Sequence, residues 1–295
     1  MLYVVKMGDT LSGIARKVGS SVASIMAANV ICKASLIFPG QLLLIPDNGV
    51  ELPKAGGSPY YIVQYGDTLW CLAKQFSQNI QSLSQANQLS NPNLLFAGSE
   101  LLVSFDRPNS QELANEWGKT GGLACEEISS LQIHGVYYLG SFRWEAVGES
   151  AVPFLLPLLT HTCETVRFYA VLSLGRIATG TQTMFALQQA LADQSPRIVE
   201  LAQLSLARTQ LLPIWSKRIH LVIRDVPFLQ HPNLQSPTHP LPKGTPIRAL
   251  SWSIPSPTGE EGPRGDIQIY DFVQVLETGE SGFIPRVGFN EILIV

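Results

Sequence analysis

Residues 3–46 overlay residues 61–104 without a gap at a constant offset of 58 positions, and this internal repeat limits the fold more than any bulk property of the chain. Tyr3 meets Tyr61, Gly8-Asp9-Thr10-Leu11 meets Gly66-Asp67-Thr68-Leu69, Ala15 meets Ala73, and Ala28-Asn29 meets Ala86-Asn87. Phe38 and Gly40 then meet Phe96 and Gly98, and Leu43-Leu44 meets Leu101-Leu102. A register kept over that length requires two copies of one small fold.

Each copy reads as strand, helix, helix, strand. Tyr3-Val4-Val5 and Tyr61-Ile62-Val63 are β-branched and aromatic runs ended by a Gly-Asp turn. Asp9-Thr10 and Asp67-Thr68 suit a helix N-terminus, where a side-chain oxygen accepts an orphan backbone N–H. The next helix keeps Leu11, Ile14, Ala15 and Val18 on one face, matched by Leu69, Leu72, Ala73 and Phe76. A second amphipathic helix ends near Asn29 or Asn87, residues that tolerate a left-handed turn. Phe38-Pro39-Gly40 or Phe96-Ala97-Gly98 then leads into a closing strand.

These residues resemble the lysin motif (LysM) family, with its Tyr-x-Val-x-x-Gly-Asp-Thr-Leu pattern, a central Asn and a Pro-Gly before the last strand. The resemblance implies a βααβ fold that binds N-acetylglucosamine-containing polymers, peptidoglycan above all and chitin oligomers besides, through the loop after the first strand and the loop before the last. Carried over by position, the implied glycan contacts are Gly8, Asp9, Thr10, Leu11, Asn29, Ile31, Phe38, Pro39 and Gly40 in the first copy. In the second they are Gly66, Asp67, Thr68, Leu69, Asn87, Leu89, Phe96 and Gly98, with Ala97 where the family prefers Pro. A capping Asp or Thr is already occupied by the helix end, so the backbone of these loops is expected to meet the sugar. An acetamido group needs one donor and one acceptor, which uncharged peptide edges supply.

One shallow groove with a few neutral hydrogen bonds, each a net ~1 kcal/mol, binds weakly. Two copies on one polymer can gain ~10² in avidity if the linker permits. Asp47 to Pro59, with Pro53, Gly56 and Gly57, reads as an irregular linker with a reach on the order of 20 Å.

Beyond residue 110 apolar positions recur at helical spacing: Leu155, Leu159, Ala170, Leu172 and Leu174 find counterparts 32 positions later in Leu187, Leu191, Ala202, Leu204 and Leu206. Thr165 to Ile177 resembles the second helix of a HEAT-type repeat. After Pro213 short strands alternate with Pro- and Gly-rich turns, at 219–223, 246–250, 267–269, 272–276, 282–284 and 292–294, and long Pro-rich loops run from Phe228 to Pro242 and from Ser253 to Gly265. Gly282-Phe283-Ile284 and its surroundings resemble a bacterial Src-homology-three-like barrel. The expectation is an α+β multidomain protein: LysM modules at 1–47 and 60–106, a HEAT-like helical hairpin solenoid at 110–213, and a small all-β Src-homology-three-like barrel at 214–295.

The formal net charge of −3 offers no basic face for nucleic acid. The first residues lack a secretory pattern, and the longest apolar stretch is far short of the ~20 residues a bilayer requires, so neither a signal-directed export route nor a membrane anchor is expected. Cys32, Cys71, Cys125 and Cys163 lie far apart without metal-ligand spacing and read as buried thiols. Cys125 with His134, Cys163 with His161, and the adjacent pairs Glu126-Glu127 and Glu260-Glu261 are the candidate catalytic groups, and none sits in a hydrolase motif. No catalytic residue, metal or cofactor is expected. The implied role is a non-catalytic wall-glycan binder, cell-wall or spore associated, with the helical or C-terminal part free to take a protein partner. The alternatives are a cell-wall hydrolase or its targeting subunit, and a spore or envelope scaffold; a cytoplasmic location is the alternative placement.

Overall fold

Each repeat folds as its pattern dictates. The computed structural model describes residues 2–46, 59–106, 109–120, 125–215, 218–263, 265 and 267–286, so residues 47–58 of the expected linker and the strand at 292–294 lie outside the described residues. The first module runs β1 (Leu2–Val4), α1 (Leu11–Val18), α2 (Val22–Ala28), β2 (Leu42–Leu44), with β1 antiparallel to β2 and Tyr3 opposite Leu43. Helix α1 begins where Thr10 Oγ1 accepts the Gly13 N–H, and ends where Gly19 turns left-handed at φ 70°. Helix α2 is capped by Ser21. Leu11, Ile14, Ala15, Ile25, Leu43 and Ile45 close a small core, each large side chain contributing roughly 1.5–3 kcal/mol by burial.

The second module repeats this with β3 (Tyr60–Ile62), α3 (Leu69–Gln75), α4 (Ile80–Ala86) and β4 (Glu100–Leu102), its helices capped by Thr68 and Asn79. Its core does not stop at the module. Leu72, Leu83 and Leu102 share one apolar cluster with Phe142 and Ala146 from the helical part and with Ala249 and Trp252 from the C-terminal sheet. Tyr60 anchors a polar junction beneath it. Its hydroxyl donates to Glu145 Oε2 at 2.6 Å and accepts from Arg176 at 2.9 Å, while Arg218 pairs with Glu145. His220 Nε2 lies 3.0 Å from Glu100 Oε1, which also accepts from Trp252 Nε1 at 3.2 Å.

The helical part comprises α5 (Ser110–Gly118), α6 (Ser130–Gln132), a π-helical stretch Ile133–Tyr138, α7 (Leu139–Val147), α8 (Val152–Leu155), a 3-10 turn Leu156–Thr160, α9 (Glu164–Ile177), α10 (Thr181–Ala190) and α11 (Pro196–Trp215). The 32-residue offset maps the segment before α9 onto α10, and α9 onto α11. Pro153 and Pro157 break that earlier segment into α8 and the 3-10 turn, because proline cannot donate into a helix interior. Helix α9 is buried from Val166 to Ile177 and packs on α7, α10 and α11.

The C-terminal part is an antiparallel sheet of β5 (His220–Leu221), β6 (Val226–Leu229), β7 (Thr238–Leu241), β8 (Pro246–Pro255), β9 (Ile269–Val275) and β10 (Ser281–Pro285), ordered β5-β8-β9-β10-β6-β7. This corrects the barrel expectation: among the described residues no pairing joins β5 to β7, and the sheet stays open. Strands β6 and β7 stand in and beside what reads from sequence as a Pro-rich loop. Pro227 faces Pro240 at a position of the ladder that calls on neither N–H, and β7 lies at the edge, where proline is tolerated.

The thiol expectation is also corrected. Cys32 is bonded to Cys71 and Cys125 to Cys163, with Cα separations of 5.8 and 5.5 Å. The first bridge ties the loop after α2 to α3 of the other module; the second ties the residues before α6 to the start of α9. No helix among the described residues is long and apolar enough to cross a membrane.

Candidate functional site

In module 1 the two loops expected to meet a sugar lie side by side, because Gly40 N–H donates to Val5 O at 2.8 Å and Val5 N–H donates to Gln41 O at 2.9 Å. Gly8 (φ +86°) and Gly40 (φ +87°) turn left-handed, and nothing lies within 4 Å of where a Cβ would stand on either. Phe38 is 57% exposed, and Pro39 beside it is exposed. Leu11 and Ile31 belong to the core instead.

The polar side chains at these positions are occupied within the module. Asp9 Oδ2 accepts from the Tyr3 hydroxyl and from the Lys6 N–H, both at 2.8 Å, while Thr10 caps α1. Asn29 holds the end of α2 to β2: its Nδ2 donates to Ile25 O (2.8 Å) and Leu44 O (2.7 Å), and its Oδ1 accepts the Leu44 N–H (2.7 Å). Asn87 does the same with Leu83 and Leu102. The left-handed residue is not the Asn but the one after it, Val30 at φ 53° and Gln88 at φ 51°. A β-branched residue there is strained, and Val30 is held by burial in the core of the second module.

The second module keeps the same internal bonds, with Asp67 Oδ2 accepting from Tyr61 (2.7 Å) and from the Gln64 N–H (2.7 Å), and Thr68 capping α3. Gly98 N–H again donates to the first strand, at Val63 O (2.8 Å). Gly98 and Phe96 are exposed, Phe96 by 65%, Leu69 is buried and Leu89 is half-buried. The first loop, however, is covered at Gly66. A Cβ on Gly66 would run into the Leu36 side chain of module 1, where Gly8 has open space. The two matching carboxyls therefore titrate in opposite directions. The Lys6 N–H and the Tyr3 hydroxyl hold Asp9 below the usual carboxylate range. Burial raises Asp67 above it, despite its bonds to Tyr61 and Gln64.

Between the modules lies a cavity of about 370 Å³, within the size range of ligand pockets, roughly 300–1,000 Å³. Val30, Lys33 and Phe38 line it from module 1, Gln64 and Tyr65 from module 2, and Ser253 from β8. Ser253 sits where β8 loses register with β9, in a left-handed conformation (φ 54°). Its N–H donates to Asp271 Oδ1 at 3.0 Å, and its buried Oγ has no hydrogen-bond partner. Asp271 is fixed by two bonds of 2.7 Å from Arg286.

Several of the candidate catalytic groups are engaged otherwise, while Glu126, Glu127 and Glu261 are exposed. Cys125 and Cys163 are bonded to each other, and His161 Nδ1 accepts the Cys163 N–H at 3.0 Å. Glu260 accepts from Tyr270 (2.5 Å), Ser256 (3.0 Å) and the Leu234 N–H (3.0 Å). Among the described residues no three His, Cys, Asp or Glu side chains gather as metal ligands.

Both repeats fold as strand, helix, helix, strand, and the LysM domain family matches residues 3–46 and 61–104. The chain therefore carries two LysM domains in tandem. It is 35% identical over 108 residues to the N-acetylmuramoyl-L-alanine amidase sle1 of Staphylococcus epidermidis, covering 35% of this chain and 33% of that protein. It is 30% identical over 131 residues to an autolysin of Enterococcus faecalis, covering 41% of this chain and 18% of that one. The chain thus spans a third or less of these relatives' length. The spore cortex-lytic enzyme SleL of Bacillus cereus aligns over 60% of this chain and 48% of its own at 16% identity, with a TM-score of 0.19 that carries no argument about fold.

Proposed function

We propose that the protein is a non-catalytic binder of N-acetylglucosamine-containing wall glycan, peptidoglycan first and chitin oligomers by shared chemistry, and that it works at the cell wall or on the spore. The observation that carries this reading is the open groove of module 1, where Gly8 and Gly40 leave peptide edges clear beside the exposed faces of Phe38 and Pro39. Glycine at both places admits the sugar ring to backbone donors and acceptors, and the apolar rim suits the C–H face of the ring. In this reading Asp9, Thr10, Asn29 and their counterparts Asp67, Thr68 and Asn87 shape the loops, and the backbone makes the contacts.

Chitohexaose titrated into the full chain while amide resonances are followed tests this. Shifts concentrated at residues 6–10 and 38–41 are expected; no shift there at any ligand concentration would end the proposal. A second reading, targeting part of a wall hydrolase, is favoured by the names of the amidase and autolysin relatives. Incubation with purified sacculi separates both from a hydrolase: co-sedimentation without release of reducing sugar or free amine is expected of a binder or a targeting part, and release would show a hydrolase.

A further inference from the structure

We infer that the cavity between the modules is a second glycan subsite continuous with the groove of module 1, so that the chain offers one extended site in place of two equivalent ones; this rests on the glycan-binding reading above. Four observations lead there. First, the groove loop of module 1 also forms one wall of the cavity: Phe38 and Gln41 belong to that loop and line the cavity as well. A strand lying on Phe38 therefore has a path from one into the other.

Second, the opposite wall is the first loop of module 2, the half of that module's own groove that module 1 covers at Gly66. Gln64, Tyr65 and Gly66 are thereby part of the shared cavity's lining. Third, the lining has the chemistry of sugar recognition. Tyr65, 78% exposed, offers a bare aromatic face, and Gln64 and Ser251 supply neutral hydrogen-bonding groups. The Asp67 carboxylate at the edge is engaged by the Tyr61 hydroxyl and the Gln64 N–H, and Lys33 is exposed to water.

Fourth, the cavity wall on β8 is built at a cost. Ser253 holds a left-handed backbone that disfavours most residues other than glycine, and its N–H is fixed by an aspartate that Arg286 clamps. Its hydroxyl has no partner within the protein. Backbone strain and an unpartnered hydroxyl thus coincide at this cavity wall, a combination that clusters at ligand sites. The Cys32–Cys71 bridge and the buried Val30 keep the two walls in register.

The test compares chitobiose, short enough for the module 1 groove alone, with chitohexaose, by calorimetry on the full oxidised chain. One chitohexaose per chain is expected, bound more tightly than chitobiose. Tyr65→Ala removes an exposed side chain, so the fold is retained; it should weaken chitohexaose about tenfold, as truncating an aromatic anchor does, and leave chitobiose unchanged. Ser253→Ala should act in the same direction. Two chitohexaose per chain, or a Tyr65→Ala variant whose chitohexaose affinity is unchanged, would overturn the extended site while leaving the glycan-binding reading intact. Failure of the unmodified chain to bind either oligomer would instead remove the reading beneath it, and the extended site with it.

Discussion

Asn29 and Asn87 decide between two accounts of the most regular polar feature in the repeat. In the structure each side chain makes three bonds to backbone, and Asn87 does so at Leu102, which is fully buried. Replacing Asn87 by Ala loses those bonds, each worth a net ~1 kcal/mol, and leaves the Leu102 N–H without a partner away from water. The expected loss is about 3 kcal/mol, a large share of a total stability of roughly 5–15 kcal/mol. Asn87→Asp should cost at least as much, because a carboxylate would then face the Leu83 and Leu102 carbonyls where an amide donated. For Asn29→Ala the loss should register as local opening of module 1, which has its own core, rather than as a shift of the whole transition. Urea unfolding for Asn87 and amide hydrogen exchange for Asn29 measure these, with chitohexaose titration under folding conditions alongside. An Asn29→Ala protein whose module 1 exchange is unchanged to within about 0.5 kcal/mol, but which no longer binds the glycan, would refute the structural role and make Asn29 a ligand contact.

Two further perturbations follow from the same geometry. Glu145→Gln should destabilise the chain by about 3 kcal/mol, since it leaves Arg218 and Arg176 in a buried junction without their counter-charge; a urea midpoint within error of the parent would show the junction to be dispensable. Burial alone would raise the Glu145 pKa, but Arg218, Arg176 and the Tyr60 hydroxyl more than offset it, so its stabilisation is present above the ordinary carboxylate range and lost as pH falls through the lowered value. Carboxyl resonances should titrate below the ordinary value for Asp9 and above it for Asp67. Asp9 then favours the folded state above the ordinary carboxylate pKa and loses this as pH falls, whereas Asp67 favours it at low pH and loses this as pH rises through its raised pKa. Asp67 should move toward Asp9 in a Cys32→Ser, Cys71→Ser protein whose modules have parted, and identical titrations in the oxidised chain would contradict the covered loop.

The two modules were legible because their fold is written locally: a capped helix, a second capped helix and two short strands whose apolar positions repeat in register. Contacts between units were not, since nothing in a local pattern says that the Leu72 cluster runs on into Phe142 and Trp252. The cysteines did carry a signal. Cys32 stands opposite Ser90 in the repeat and Cys71 opposite Gly13, so each is an addition to one copy, as a bridge between copies would be. Strands β6 and β7 were hidden by Pro227 and Pro240, whose pairing at a position without ladder bonds appears only in register. Among the candidate site residues, Gly8, Gly40 and Phe38 lie in the open groove, while the pattern could not tell that Leu11 and Ile31 face inward or that Gly66 is covered.

The Cys32–Cys71 bond closes a covalent ring around the segment that joins the modules, at a sequence separation of 39. A protease that nicks the chain anywhere inside that ring severs the polypeptide without detaching the first module, which departs only when a reductant follows. The two halves of a nicked chain would thus move together on a gel until thiol is added.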